Sequence, residues 1–150
     1  MNRDGTVYEI AKGSTAITTL ASFTGANGTN PSGGVTFDSS GNLFGTTYAG
    51  GVNSDGTVYE IAKGSTAITT LATFTGANGA DPVAGVTFDS SGNLFGTTTS
   101  GGVNGDGTVY EIAGAGSPAA VPEASTTVSF GLLLTLGVIA ARRKRKQNAA

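Results

Sequence analysis

The sequence contains no cysteine, no histidine and no tryptophan among its 150 residues. Without cysteine, the chain has neither a disulfide framework nor a thiolate for nucleophilic chemistry. Without histidine, a serine nucleophile lacks its commonest general base, and a bound metal ion would have only carboxylate and carbonyl oxygens as ligands. These absences predict that the chain is not an enzyme and has no catalytic, cofactor-binding or metal-binding residues.

Basic side chains are scarce everywhere except at the end of the chain. Up to Val121, three basic residues stand against nine acidic ones, so this part has a formal charge of −6, whereas the last nine residues carry +5. Proteins that bind nucleic acid present clusters of lysine and arginine to the phosphates. The acidic body therefore predicts that nucleic acid is not a partner.

An internal repeat occupies most of the chain. Its copies begin at Asp4, Asp55 and Asp106, so the period is 51 residues, and the two complete copies differ at only eight positions. A period of this length is typical of architectures in which each repeat is one supersecondary unit that stacks on its neighbours. We assign residues 1–113 to this tandem-repeat region. Because Met1 aligns with Val52 and Val103, we expect the array to extend upstream of Met1.

Each copy consists of short β-rich runs separated by glycine-rich and asparagine-rich turns, a pattern typical of all-β proteins. Four strands are predicted per copy, at residues 6–11, 17–23, 35–38 and 43–47 of the first copy. Residues 39–42 read Ser-Ser-Gly-Asn, which predicts a hairpin between the last two strands. The third block supplies strands at 86–89, 94–98 and 108–113.

The strand count limits what the repeats can build. The blocks supply two, four and three strands, and four short antiparallel strands in about 50 residues are what one β-propeller blade needs. The predicted fold is therefore all-β, with about two propeller-like blades that form an incomplete ring. Open strand edges favour pairing with another chain. We expect either a homo-oligomer formed through these edges or a body that is only marginally stable.

Three groups of residues are candidates for functional sites. The repeat places glutamates at equivalent strand positions, so we expect solvent-facing side chains rather than an acid–base pair: Glu9, Glu60 and Glu111. Residues 53–56 and 104–107 resemble calcium loops only in part, because no glutamate closes them, and Asx turns explain their Asn-X-Asp-Gly pattern. Equivalent tyrosines would either stack against sugars as a ladder or pack between strands, and packing is the commoner role: Tyr8, Tyr59 and Tyr110.

The composition changes after Ala113. Residues 114–120 are small residues and one proline, which predicts a flexible linker. The apolar run 126–141 predicts a transmembrane helix of about 24 Å, shorter than the roughly 30 Å hydrocarbon core, so flanking basic side chains must reach the interface. A basic cluster follows, before a short tail at 147–150: Arg142, Arg143, Lys144, Arg145 and Lys146. The positive-inside bias places this cluster in the cytoplasm and the repeats outside.

A short motif precedes the apolar run: Val121, Pro122, Glu123, Ala124 and Ser125. This motif, a short apolar helix and a terminal basic cluster occur in the order of the PEP-CTERM sorting signal of exported bacterial proteins, which residues 121–146 resemble. The usual second proline of the motif is Ala124 here. The resemblance implies processing by an exosortase, a membrane-embedded cysteine protease, and an association with exopolysaccharide.

The repeats in turn resemble the GloVer tandem repeats. The match lies in Gly-Val-Thr-Phe-Asp-Ser-Ser-Gly-Asn-Leu-Phe-Gly-Thr-Thr, at 34–47 and again at 85–98, and in Asp-Gly-Thr-Val-Tyr-Glu-Ile. Members commonly carry C-terminal anchoring signals, so the resemblance implies a location in the cell envelope rather than an activity.

Together these features predict an exported protein of the cell surface or extracellular matrix, anchored in the membrane at least transiently. Its expected role is structural or adhesive, with polysaccharide as a possible contact. Two alternatives stay open: the chain is the C-terminal part of a secreted β-propeller lyase or hydrolase with catalytic residues upstream, or it is a fragment without function.

Overall fold

The computed structural model describes residues 4–119, which fold into nine β-strands and no helix. The strands are β1 (Thr6–Glu9), β2 (Thr18–Ser22), β3 (Thr36–Phe37), β4 (Leu43–Thr47), β5 (Thr57–Ile61), β6 (Thr69–Thr73), β7 (Thr87–Phe88), β8 (Leu94–Thr97) and β9 (Val109–Ile112). The predicted all-β class is confirmed. The predicted transmembrane helix at 126–141 lies outside the described residues.

The strands form three antiparallel sheets in which each strand pairs with the next along the chain. The first sheet contains β1 and β2, the middle sheet β3 to β6, and the last sheet β7 to β9. This grouping confirms the predicted blocks of two, four and three strands. The predicted hairpin at 39–42 is confirmed as well, since Thr36 pairs with Phe44 and Phe37 with Leu43 across it.

The middle sheet packs between the other two because its side chains alternate between two apolar faces. Its front face carries Leu43, Tyr59 and Ile61, which form one buried cluster with residues of the first sheet such as Val7. Its back face carries Phe44 and Val58, which form a second cluster with Leu94 and other residues of the last sheet. Successive residues of a strand point to opposite faces, so two adjacent strands serve both interfaces.

Aromatic pairs recur at the repeat period in these two interfaces. The rings of Phe23 and Tyr59 meet edge to face with centroids 5.0 Å apart, and those of Phe74 and Tyr110 do the same at 5.0 Å. Such a pair contributes about 0.5–1.5 kcal/mol beyond the burial of its area. This contact is therefore repeated in both interfaces. In each one, the tyrosine of one sheet packs on the phenylalanine that follows the last strand of the preceding sheet.

A polar clip closes the hairpin between β3 and β4. The Asp38 carboxylate accepts the amides of Ser40 and Asn42 at 3.0 and 2.9 Å and the side-chain amide of Asn42 at 3.0 Å. Asn42 Oδ1 in turn accepts the amide of Lys63 at 3.0 Å, which ties the hairpin to the chain after β5. The last sheet repeats this clip with Asp89, Asn93 and Gly114.

A buried threonine pair fixes the connection between β4 and β5. The hydroxyl oxygens of Thr47 and Thr57 lie 2.8 Å apart, and both side chains are fully buried. The loop that follows β2 passes so close to them that a Cβ atom on Gly28, where φ is 124°, would collide with Thr47. Only glycine fits this position, and the repeat keeps it as Gly79.

Candidate interaction surface

The three equivalent glutamates lie on equivalent strands, β1, β5 and β9. Glu9 and Glu111 are exposed, and Glu60 is half-buried. Across residues 4–119, no three histidine, cysteine, aspartate or glutamate side chains come close enough together to hold a metal ion.

The loop at 53–56 forms a turn held by backbone contacts. Ser54 adopts a left-handed conformation with φ of 64°, and its amide donates to the carbonyl of Gly51 at 3.4 Å. The Asp55 carbonyl accepts the amide of Asp81 at 3.1 Å, which joins this turn to the long loop after β6. The turn therefore has a structural role between two loops.

The two clip aspartates, Asp38 and Asp89, have lowered pKa values. Burial alone would raise the pKa of Asp38, but the hydrogen bonds that its carboxylate accepts from Ser117, Asn42 and Ser40 outweigh burial and hold that pKa below 3.8. The amide of Asn93 is the main cause that lowers the pKa of Asp89. These carboxylates are ionised acceptors committed to their own turns, which does not suit proton transfer to a substrate.

The three equivalent tyrosines do not form an exposed ladder. Tyr59 is 1% exposed and packs edge to face against Phe23, whereas Tyr8 is 59% exposed because no preceding sheet covers it in the described part of the chain. Burial raises the pKa of Tyr59 and of Tyr110 to about 12. The packing interpretation is therefore correct for Tyr59 and Tyr110, and the sugar-stacking ladder is wrong for Tyr59.

Rows of threonine mark the outer edges of the sheets. β2 and β6 each lie at an edge, and each begins with two exposed threonines: Thr18 and Thr19 in β2, and Thr69 and Thr70 in β6. The hydroxyls recur at the repeat period on equivalent strands. The sequence signal for this surface is the repeated Thr-Thr-Leu-Ala, whose first two residues do not alternate in polarity as a half-buried strand would.

Apolar residues are exposed where no strand of a neighbouring sheet covers them in the described part of the chain. Val35 is 46% exposed, whereas its repeat equivalent Val86 is 6% exposed beneath the middle sheet. Val109 is 79% exposed on the back of the last sheet, whereas its equivalent Val58 is fully buried. Equivalent residues are thus buried where a neighbouring sheet covers them and exposed where it does not.

A cavity of about 410 Å³ lies at the front of the middle sheet, beside β1. Tyr8, Pro31, Val35 and Tyr59 are among its lining residues. In the next interface the equivalents of Pro31 and Val35 are buried, because β3 and β4 of the preceding sheet cover them. The cavity therefore occupies the place that two inner strands of another sheet would fill.

Part of the predicted linker contacts the sheets. The amide of Gly116 donates to the carbonyl of Gly92 at 3.1 Å, and that of Ser117 donates to the Asp38 carboxylate at 2.9 Å. The hydroxyl of Ser39 donates to the carbonyl of Pro118 at 2.6 Å. Residues 116–118 are therefore held against two hairpins, although their composition predicts a flexible segment.

The predicted sorting motif, Val121 to Ser125, and the basic cluster, Arg142 to Lys146, lie outside the described residues. Within 4–119, no helix is long and apolar enough to cross a membrane.

Comparison with known proteins identifies the repeats. The model of the Gloeobacter/Verrucomicrobia repeat matches residues 1–131, and thus the whole of the sheet region described above. No curated protein and no solved structure gives a match to this chain. Since the matched span covers most of the sequence, the chain belongs to the Gloeobacter/Verrucomicrobia repeat family.

Proposed function

We propose that this protein is exported and acts at the cell surface or in the extracellular matrix, where its repeats have a structural or adhesive role in contact with polysaccharide. The observation that carries this proposal is the pair of exposed threonine rows on β2 and β6. Hydroxyl groups spaced along strands can exchange hydrogen bonds with sugar hydroxyls without the cost of burying a charge.

The charge of residues 1–121 limits which kind of polysaccharide would bind. The formal charge of −6 up to Val121 repels acidic polymers at low salt, so a neutral polysaccharide is the preferred contact. Each threonine row would bind the polymer weakly, and several rows on one rigid array would raise the overall affinity through multivalency. A repeat array with acidic strand faces and uncharged edges therefore suits a neutral matrix polymer.

We also propose that each four-stranded sheet is one blade of a propeller. The strands follow each other from β3 to β6 within the middle sheet, and a long loop returns the chain from its outer strand to the inner strand of the next sheet. The segments before β3 and β7 nearly touch, since a Cβ atom on Gly33 would lie 2.6 Å from the carbonyl oxygen of Ala84. Close inner segments and a four-strand meander support radial packing of the sheets.

In this proposal, residues 121–146 are the signal that directs the protein to the cell surface. The motif at 121–125 would be recognised by an exosortase-type enzyme, residues 126–141 would span the membrane, and the basic cluster at 142–146 would hold the C-terminus in the cytoplasm. The order of the three features along the chain supports this assignment.

The polysaccharide contact is tested by measuring binding of the full chain to immobilised neutral and acidic polysaccharides. We expect binding to the neutral polymer, and at least a tenfold loss when all four row threonines become alanine: Thr18, Thr19, Thr69 and Thr70. Thr66→Ala, an exposed threonine in the turn before β6, is the matched control and should leave binding unchanged. Unchanged binding in the fourfold variant would show that the threonine rows do not contact the polysaccharide.

The alternative of a secreted enzyme is tested on the same material. Replacement of Glu60 and Glu111 by glutamine should leave polysaccharide binding intact, because both lie on strands and not in the threonine rows. An enzyme that used either carboxylate would instead show turnover in the parent chain and lose it in these variants.

A further inference from the structure

The chain contains three Asn-Gly pairs, at 27–28, 78–79 and 104–105. The first two occupy the same position of the repeat, whereas the third arises because the last copy has Gly105 where the middle copy has Ser54. Glycine has no Cβ atom, so its amide nitrogen can approach the side chain of a preceding asparagine without obstruction. Each pair is therefore a possible site of succinimide formation, and the surroundings of each decide whether it reacts.

All three pairs occupy the same kind of turn. In each, the glycine amide donates to the carbonyl of the residue three positions earlier at 3.2 Å: Gly28 to Gly25, Gly79 to Gly76 and Gly105 to Gly102. Asparagine and glycine are common in such turns. A difference in reactivity must therefore come from the burial of the glycine and from the contacts of the asparagine side chain.

The glycines of the first two pairs are buried. Gly28 lies against Thr47, and Gly79 against Thr98, so closely that a Cβ atom on either glycine would collide with the threonine side chain. Attack by an amide nitrogen passes through its deprotonated form, and burial disfavours a charged group. These two amides are therefore poor nucleophiles in the folded chain.

The asparagine side chains of the first two pairs are also held in place. Asn27 Oδ1 accepts the amide of Thr24 at 2.9 Å. Asn78 Oδ1 accepts the amide of Thr75 at 2.9 Å, and its side-chain amide donates to the carbonyl of Thr73 at 3.4 Å. Each side chain must give up these bonds before its carbonyl carbon can reach the following amide.

The third pair is open to solvent. Asn104 and Gly105 are both exposed, and a Cβ atom on Gly105 would meet no atom within 4 Å. This exposure does not depend on which sheet the loop belongs to, since the equivalent residues of the middle copy, Asn53 and Ser54, are exposed as well. The third pair thus lacks the burial that protects the other two glycines.

We propose that Asn104 is a site of spontaneous deamidation, and that the fold protects Asn27 and Asn78 from the same reaction. The Gly105 amide nitrogen loses its proton to hydroxide and forms a bond to the side-chain carbonyl carbon of Asn104. The bond from that carbon to the side-chain nitrogen breaks, and the nitrogen takes up protons from water and leaves as ammonia.

Water then opens the resulting succinimide. It adds to one of the two ring carbonyls, whose bond to the ring nitrogen breaks, and the product is aspartate or isoaspartate. The net reaction consumes one water and releases one ammonia, without oxidation or reduction.

Either product adds a carboxylate beside Asp106, and isoaspartate also lengthens the main chain by one carbon within the turn. The turn lies between the end of β8 at Thr97 and the start of β9 at Val109, outside both strands. We therefore expect the sheets to persist and the change to be confined to the loop. The reaction depends neither on export of the protein nor on its contact with polysaccharide.

The test follows deamidation of the purified full chain at mildly alkaline pH, both folded and in concentrated urea. Peptide mapping by mass spectrometry detects the gain of about one dalton at each asparagine, and an isoaspartate methyltransferase identifies the isoaspartate product. In the folded chain Asn104 should react faster than Asn27 and Asn78 by about tenfold or more, because their glycine amides are buried. In urea the protection is lost, so the three rates should become similar.

The repeat supplies matched variants. Gly105→Ser introduces the residue of the middle copy and should abolish the reaction at Asn104. This variant should fold, because Ser54 adopts the left-handed conformation that the position requires, with φ of 64° against 82° for Gly105. Ser54→Gly should make Asn53 react in the folded chain at a rate similar to that of Asn104.

Three results would overturn the proposal. In the first, Asn104 stays intact in the folded chain while it reacts in urea, so that the turn itself protects it. In the second, Asn27 or Asn78 reacts as fast as Asn104 in the folded chain. In the third, Ser54→Gly leaves Asn53 intact, so that exposure of the loop is not what permits the reaction.

Discussion

Replacement of Thr47 by valine tests the threonine pair that closes the middle sheet. Valine has nearly the same shape as threonine, so the change mainly removes the hydroxyl and its hydrogen bonds. The Thr47 hydroxyl accepts the amide of Thr57 at 3.2 Å, lies 2.8 Å from the Thr57 hydroxyl and donates to the carbonyl of Ala49 at 3.0 Å. All these bonds belong to one buried side chain.

The expected loss of unfolding free energy depends on which groups lose a hydrogen-bond partner. The Ala49 carbonyl keeps the amide of Thr29 at 2.7 Å, and the Thr57 hydroxyl keeps the carbonyl of Asn27 at 3.2 Å. The amide of Thr57 loses the Thr47 hydroxyl as an acceptor in a fully buried site, and loss of a buried hydrogen-bond partner costs about 1–3 kcal/mol. With the two other bonds lost, Thr47→Val should lower the free energy of unfolding by about 2–4 kcal/mol.

The repeat supplies an internal control. Thr98 makes the same bonds to Thr108 and Ser100, at 2.9 to 3.0 Å, but Thr108 is half-exposed and water can replace the lost hydroxyl. Thr98→Val should therefore cost about 1 kcal/mol. Equilibrium urea denaturation of the two variants measures the difference. Equal losses, or a larger loss for Thr98→Val, would refute the reasoning from burial.

Three further changes have calculable outcomes. A Cβ atom on Gly45 would lie 2.6 Å from the hydroxyl of buried Tyr59, so Gly45→Ala should cost about 1–3 kcal/mol in urea denaturation, whereas Gly34→Ala, with open space around it, should be neutral. The pKa of Asp38 is lowered on folding, so its contribution is complete above the unfolded value of 3.8 and is lost as the pH falls through the folded value. Melting temperature should thus drop in acid, and less steeply in Asp38→Asn. In the described part of the chain, the hydroxyl of Tyr110 is the one buried side-chain polar atom without a partner, so Tyr110→Phe should raise the unfolding free energy by about 1 kcal/mol.

The strands and their grouping into sheets could be predicted because both depend on local signals. The short β-rich run Leu43 to Thr47 and the turn residues at 39–42 are enough to place β4 and its hairpin. Strand ends are less well determined: the predicted strand at 6–11 ends at Glu9 in β1, and a turn follows in which the amide of Ser14 donates to the carbonyl of Ala11.

The contacts between sheets could not be predicted in the same way. Burial of Tyr59 depends on Phe23 from the preceding sheet, and exposure of Tyr8 depends on the place of its sheet in the stack. All three tyrosines have the same local sequence, so no local pattern separates them. The contact of Ser117 with Asp38 likewise joins residues 79 positions apart.

The exposed threonine rows could be predicted from the sequence only in part. Thr18 and Thr19 are visible in the sequence, but a strand of mixed polarity can present either face, and only the position of β2 at a sheet edge makes both exposed. The interaction surface proposed here therefore follows from the sheet order together with the residues.

Surface labelling of intact cells is the most direct test of the central proposal, that the repeats work outside the cell. Cells that produce the full chain would be treated with a protease or an antibody against residues 4–119, before and after lysis. The proposal predicts that the repeats are reached on intact cells, and that replacing the five basic residues at 142–146 with alanine lowers this signal. Repeats that are reached only after lysis would contradict it.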